Sequence, residues 1–383
     1  MLYFASISIS LYLLLLFIGK PHKSIADKLL MVWQLIATLH LADLYWLISG
    51  NYRLYPHFLG WTAPLPLAHG PFLYLYIRYL TSPRPFNFKS LLHFIPIVLA
   101  AMVWLPFSLQ TPAQKLQLFE AGMLPYQSLA LAFNIAIAVS GLVYITASCI
   151  LLYRYQRKIS QIFSSTDKIS LNWLRYLIAG IGVIWLFVIF YQTPQTIYLS
   201  ASLYICFVGF FGVRQKQIFI TPVIPVSGVE NVDNADLTAI PGIPEPGVES
   251  EEVIPAPAKT KYEWSSLSEA EAERIYIQLQ EIMEQDELYK NPELTLDELA
   301  ASLRISEAAL SQVINSRFHQ SFYDYINSLR VHAFIKQAVD PGNKGYTLLS
   351  IAFDCGFNSK SSFNRNFRKF TGKSPSDYLK TNT

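Results

Sequence analysis

Ile351-Ala352-Phe353-Asp354-Cys355-Gly356-Phe357-Asn358-Ser359-Lys360-Ser361-Ser362-Phe363-Asn364-Arg365-Asn366-Phe367-Arg368-Lys369-Phe370 reads as two short helices broken at one glycine. Thr347 is placed to cap the first, Leu348–Cys355, which turns Ile351 and Ala352 inward. Gly356-Phe357 reverses the chain. Asn358 or Ser359 opens the second helix, whose inward face is Phe363, Phe367 and Phe370 at helical spacing. The outward face then holds Lys360, Ser361, Ser362, Asn364, Arg365, Arg368 and Lys369. Acids nearly vanish from Asn358 to Tyr378, so this face should attract a polyanion.

The same pattern stands upstream. Thr295 precedes an acidic first turn, Asp297-Glu298, and Leu296, Leu299, Ala300 and Leu303 line one helix face. Arg304-Ile305-Ser306 makes a turn, and Ser306 can cap a second helix, Glu307–Phe318, with Leu310 and Ile314 inward. Small Ala300 lets the two helices approach closely, as a helix-turn-helix requires. Ala308, Ala309, Ser311, Gln312 and Asn315 are expected on the exposed face of that second helix. The two units, about 295–318 and 347–370, are joined by a predicted helix, Tyr323–Val339, roughly 25 Å long at 1.5 Å per residue.

The run from Ile351 to Phe370, continued by Thr371-Gly372-Lys373-Ser374-Pro375, resembles the signature of the AraC family of transcription regulators. Leu299-Ala300 through Ser306, Tyr325-Ile326-Asn327 and Arg330 are similar to that family's first helix-turn-helix. Two departures stand out: His319 occupies a position where the family often has glycine, and Phe334 one near which it has a small residue. The resemblance implies double-stranded DNA as partner, with two recognition helices in successive major grooves. Base reading then falls to Arg365 and Asn364 in the second unit and to Gln312 and Ser311 in the first, flanked by Ala308, Asn315, Ser359, Ser361 and Ser362. Lys360, Arg368, Lys369 and Lys373 are expected to grip phosphates.

Upstream the composition changes. The whole chain of 383 residues is 52% hydrophobic and only 15% charged, against about 25% charged in soluble domains, and its charges crowd into the C-terminal part. Seven apolar runs approach the roughly 20 residues that cross a bilayer: Leu2–Gly19, Leu29–Ile48, Leu59–Leu80, Leu91–Leu109, Leu124–Tyr153, Trp173–Tyr191 and Thr196–Val213. The third contains Pro64, Pro66, Gly70 and Pro71, so it is expected to kink or to start late. The first has no basic flank ahead of it and no small-residue cleavage site after Gly19-Lys20, so it reads as a retained helix rather than a signal peptide.

Lysine and arginine set the predicted orientation. One set of connections carries Lys20, Lys23 and Lys28, then Arg78, Arg84 and Lys89, then Arg154, Arg157, Lys158 and Lys168, with Arg214 and Lys216 after the last run. The alternate set holds only Arg53 and Lys115. With seven crossings all the basic connections and the C-terminus share the cytoplasmic side of a bacterial inner membrane, and the N-terminus lies outside. Gly70-Pro71-Phe72-Leu73-Tyr74-Leu75-Tyr76 with Leu92-His93-Phe94-Ile95-Pro96 resembles seven-span regulators of Bacteroidetes-type bacteria, which implies that the membrane half senses a signal or ligand.

The expected organisation is all-α: a membrane domain over 1–216, a Pro/Glu-rich flexible tether over 217–262 and a DNA-binding domain over 263–383. An amphipathic helix, Leu267–Glu287, is predicted to pack on that last domain; a role in dimerisation is the alternative. Two-groove binding does not require a homodimer, although pairing of tethered copies would raise local concentration.

Polar residues inside the apolar runs are few. His40 and Asp43 share a face of the second run, and His69 lies in the third; these form a candidate ligand-sensing cluster, with interhelical packing as the alternative. The tryptophans Trp33, Trp46, Trp61, Trp104 and Trp185 are expected mostly in interfacial belts. Cys149, Cys206 and Cys355 lack metal-ligand spacing, and no HExxH, nucleophile elbow or phosphate-binding glycine loop occurs. No cofactor, metal or catalytic residue is therefore expected. The rival reading is a transporter or membrane enzyme with an appended DNA-binding tail. A receptor whose C-terminal domain binds protein is a third.

Overall fold

The computed structural model describes residues 2–214 and 267–382, apart from positions 21, 83–84, 168 and 192. The tether expected over 217–262 lies outside the described residues. Among them the regular elements are helices, and extended backbone pairs only in an isolated antiparallel bridge between Phe163 and Thr295. The chain divides into two compact units, residues 1–159 with 168–221, and residues 160–167 with 222–383.

In the first unit the seven apolar runs become α1 (Leu2–Ile18), α2 (Ile25–Ile48), α3 (Pro66–Thr81), α4 (Ile95–Ser108), α6 (Gln127–Ile162, ending in the second unit), α7 (Trp173–Phe190) and α8 (Pro194–Arg214). Four stretches are long and apolar enough to cross a membrane by length and composition: Ile25–Ile48, Phe88–Ser108, Leu124–Ile162 and Trp173–Phe190. The outer surface of the unit agrees with that. Leu15, Leu39, Leu99, Met102, Leu131, Leu142 and Phe190 are all exposed, a density of large apolar side chains that water would not tolerate but lipid solvates.

Local chemistry accounts for the helix starts. Ser24 caps α2 in a reciprocal box with Asp27, whose carboxylate also receives Lys20 Nζ at 2.8 Å in a nearly buried ion pair. The third run does start late: α3 begins only at Pro66, where a missing N–H costs nothing. A short helix that the sequence reading did not separate, α5 (Pro112–Glu120), is opened by a Thr111–Gln114 capping box. It buries Lys115, expected as a connection charge, with its Nζ donating to the His57 carbonyl at 2.9 Å.

Burial divides the tryptophans expected in interfacial belts. Trp33, Trp104 and Trp185 are buried, whereas Trp61 is exposed. Trp185 of α7 lies flat on Gly141 of α6; a Cβ at Gly141 would stand 2.4 Å from the indole, so the missing side chain makes the room. Interhelical space at a glycine takes this indole.

The second unit contains α9 (Glu269–Gln285), α10 (Leu296–Leu303), α11 (Glu307–Phe318), α12 (Phe322–Ala338), α13 (Leu348–Asp354), α14 (Lys360–Thr371) and α15 (Pro375–Asn382). Its core has two parts. Ile275, Leu279 and Met283 of α9 pack with Leu296, Leu299, Leu310, Val313 and Ile314 in the first. Ile351, Ala352, Cys355, Phe357, Phe363 and Phe367 form the second. Helix α12 belongs to both, giving Phe322, Tyr325 and Ile326 to one and Val331 and Phe334 to the other. A single rigid helix thereby fixes the relative placement of the two parts.

Candidate nucleic-acid interface and membrane cluster

Both predicted helix-turn-helix units form. Thr295 caps α10 in a reciprocal box with Glu298, Arg304 takes the left-handed conformation at the turn (φ 56°), and Ser306 caps α11. Thr347 caps α13 and Ser359 caps α14, each accepting from the backbone N–H three residues on. Gly356 between them has φ 95°, and a Cβ there would lie 2.6 Å from the Tyr289 carbonyl oxygen. The turn needs glycine for conformation and for space.

On α14, Lys360, Ser361, Asn364, Arg365, Arg368 and Lys369 are exposed as expected. Ser362 is not: it is buried at 4% exposure and faces Asn366, whose Nδ2 reaches its carbonyl at 3.0 Å. The helical phase set by Phe363 and Phe367 carries positions 362 and 366 inward, so the Ser362 side chain is removed from the outward set. Asn366 also donates to the Tyr323 hydroxyl at 2.7 Å, tying α14 to α12. On α11, Ala308 is exposed, Ser311, Gln312 and Asn315 are half-buried, and Ala309 packs against the core instead of facing out. Asn315 Nδ2 donates to the Ser311 carbonyl at 2.7 Å, which holds both on one face.

Charge completes the surface. Lys369 reaches Asp324 at 2.6 Å while remaining half-exposed. Arg365 donates to the Tyr323 hydroxyl at 3.0 Å and to Asp167 at 2.8 Å. An open groove is lined by Lys360, Asn364, Arg365, Arg368 and Lys369 with Ser374 and Ser376. Four cations along about two and a half turns of helix, beside hydroxyl and amide groups, can grip phosphates and read base edges.

At the centre of the unit lies a residue that sequence reading noted only as part of a resemblance. Arg330 is 1% exposed, and its guanidinium donates to the Tyr289 carbonyl at 2.7 Å and to the Asn291 carbonyl at 2.7 Å. It also meets Ser164, as does Asn327. Desolvation pushes its pKa down to about 10, which leaves it charged at neutral pH.

Residues 299–381 match the family model described as a helix-turn-helix domain. They form an AraC-type DNA-binding domain. The matched stretch opens within α10, spans α11 to α14 and ends in α15, so both units of the AraC-type domain are covered. Neither the curated proteins nor the solved structures compared with the chain contain a match. The AraC-type domain makes this chain a DNA-binding transcription regulator, and its apolar helices fit a membrane part.

Within the first unit the three candidate sensing residues divide. His40 Nδ1 lies 3.2 Å from His69 Nε2, so α2 and α3 are bridged as the sequence suggested. Asp43 joins neither; it accepts from the Thr62 hydroxyl instead. The third member of the histidine cluster is Trp33, whose Nε1 donates to His69 Nδ1 at 3.0 Å. Trp33 and Thr62 were missed because nothing in their local spacing marks a partner on another helix.

Proposed function

We propose that the chain is a membrane-anchored one-component regulator whose membrane half senses a signal and whose AraC-type domain reads DNA through α11 and α14. The carrying observation is the exposed row Lys360, Asn364, Arg365, Arg368 and Lys369 on a helix held by a buried phenylalanine seam. Such a row supplies salt-dependent phosphate affinity, with Arg365 suited to guanine O6 and N7 and Gln312 of α11 to adenine. The 17-residue α12 spans roughly 25 Å and sets how the two reading helices meet successive grooves.

In this reading the seven apolar helices all cross the inner membrane, with the N-terminus outside and the AraC-type domain in the cytoplasm. The one-sided distribution of Lys and Arg among the connections supports it. The His40–His69–Trp33 cluster is the sensing candidate, because polar groups at such depth are costly unless they serve packing or a ligand. Pairing of two copies would bring two AraC-type domains to adjacent sites.

The test uses the full chain in lipid nanodiscs, selected against random duplexes at two salt concentrations, with Arg365→Ala alongside. A two-box site whose affinity falls with salt, and whose specificity relaxes in Arg365→Ala, is the expected result. Absence of sequence preference at both salts would defeat the reading of α11 and α14.

A further inference from the structure

The second compact unit includes residues 160–167, the last three residues of α6 and the five that follow it towards α7. Residues 163–165 and 167 make specific bonds within that unit. Phe163 bridges Thr295, and the Ser164 N–H donates to the Leu294 carbonyl at 3.1 Å. The Ser164 carbonyl accepts from Asn327 Nδ2 at 2.9 Å and from Arg330 Nη1 at 3.3 Å, and its hydroxyl accepts from Arg330 Nη2 at 3.1 Å. Ser164, Asn327 and Arg330 are each no more than 1% exposed. A connecting segment ordinarily keeps its polar backbone in water. This one is seated in the polar centre of the DNA-binding domain, where buried donors need its oxygen atoms.

The next residues lie on α14. Ser165 Oγ accepts from Asn358 Nδ2 at 2.7 Å. The Asp167 carboxylate accepts from Arg365 Nη2 at 2.8 Å and from the hydroxyl of Ser359, the N-cap of α14. A negative oxygen pair held by a guanidinium and a hydroxyl at a helix N-terminus is the arrangement a DNA phosphate or guanine edge would occupy.

We propose that residues 163–167 are an autoinhibitory plug: Ser164 anchors it, Asp167 covers Ser359 and Arg365, and it must leave before α14 can enter the major groove. The proposal rests on the reading of α14 as a DNA-contacting helix. Bound DNA and the plug compete for the same donors, and the Asp167 carboxylate would repel the phosphates beside it. Only the first helix-turn-helix unit is then free in the plugged state. The segment follows α6 directly and is separated from Trp173 of α7 by a few residues, so a signal that displaces those helix ends acts on the plug without any long-range relay. Signal and DNA are then linked reciprocally: each favours release of the plug for the other.

The experiment compares wild type, Asp167→Asn, and Asp167→Asn with Arg365→Ala, all full-length in nanodiscs, against the duplex selected above. Asp167→Asn is expected to bind this two-box duplex roughly tenfold tighter than the wild type, because no carboxylate then holds Arg365. Hydrogen exchange on the wild type is expected to show faster exchange of the Ser164 amide when saturating duplex is added. Equal or weaker binding by Asp167→Asn overturns the proposal, as it would if Asp167 merely aimed Arg365 at a base. Unchanged or slower exchange of residues 163–167 with duplex overturns it too, because tighter binding would then reflect only a lost charge. If the double variant binds as Asp167→Asn does, the reading of α14 fails and the plug fails with it. If the double variant loses the second box, that reading stands and the plug is judged on the first two results alone.

Discussion

Trp33 donates its indole N–H to His69 Nδ1 at 3.0 Å, and this one bond orders the histidine pair behind it. A neutral imidazole that accepts at Nδ1 carries its proton on Nε2, so His69 donates to His40 Nδ1 across the 3.2 Å gap. His40 in turn carries its proton on Nε2. Three residues on two helices thus form a directed chain of donors, and no member can be exchanged without changing the next.

His69→Ala should therefore lower the stability of the membrane unit by about 1–3 kcal/mol, since it strands a buried indole donor. Trp33→Phe should cost less, because it removes the donor together with its need for a partner. Thermal denaturation in nanodiscs orders the two; a milder loss in His69→Ala than in Trp33→Phe would refute the chain of donors.

Backbone conformation sets a second expectation. His319 ends α11 with φ 55°, where a side chain is strained, so His319→Gly should stabilise the DNA-binding domain by about 1 kcal/mol. Gly356→Ala should do the opposite and lose more than about 2 kcal/mol, because the new Cβ meets the Tyr289 carbonyl as well as an unfavourable φ. Denaturant midpoints of the two variants, read from the domain's amide exchange, should move in opposite directions.

Burial of Cys355 pushes its thiol up from 9.0 to about 11. The folded state holds the neutral form, so the associated stability is present below about pH 9 and is lost as pH rises toward 11. The melting temperature of the wild type should fall more between pH 8 and pH 10.5 than that of Cys355→Ala. Parallel falls would mean that the thiol carries no part of the alkaline loss. At pH 8 the same thiol should resist alkylation until the domain unfolds.

Lys369 separates affinity from stability. Its pair with Asp324 is half-exposed and should contribute less than about 1 kcal/mol to folding. Lys369→Ala should leave the melting temperature within a degree or so, weaken all duplexes alike and reduce the salt slope by about 1. A change in base preference would reassign Lys369 to direct readout.

The DNA-binding half was readable from local rules because its decisive features are local. Capping residues three positions from their acceptors, a glycine at the turn and a seam at Phe363, Phe367 and Phe370 all lie within one helix length. Ser362 and Ala309 were misplaced by a fraction of a turn, since a face boundary depends on which neighbour packs there. In the membrane half, hydropathy marks the helices, but all-round apolar sequence carries little phase information, so which tryptophans turn inward was not legible.

By itself the sequence determined an all-α chain, an apolar half, a proline-rich join and two capped helix-turn-helix units, because helix length, capping and burial periodicity are written in neighbouring residues. Only the tertiary structure decided that His69 pairs with Trp33 and His40 but not Asp43, and that Arg330 is buried. It alone places Asp167 against Arg365, 198 residues away. Hydrogen bonds between distant segments depend on how the chain returns through space, and no periodicity along the sequence encodes that return.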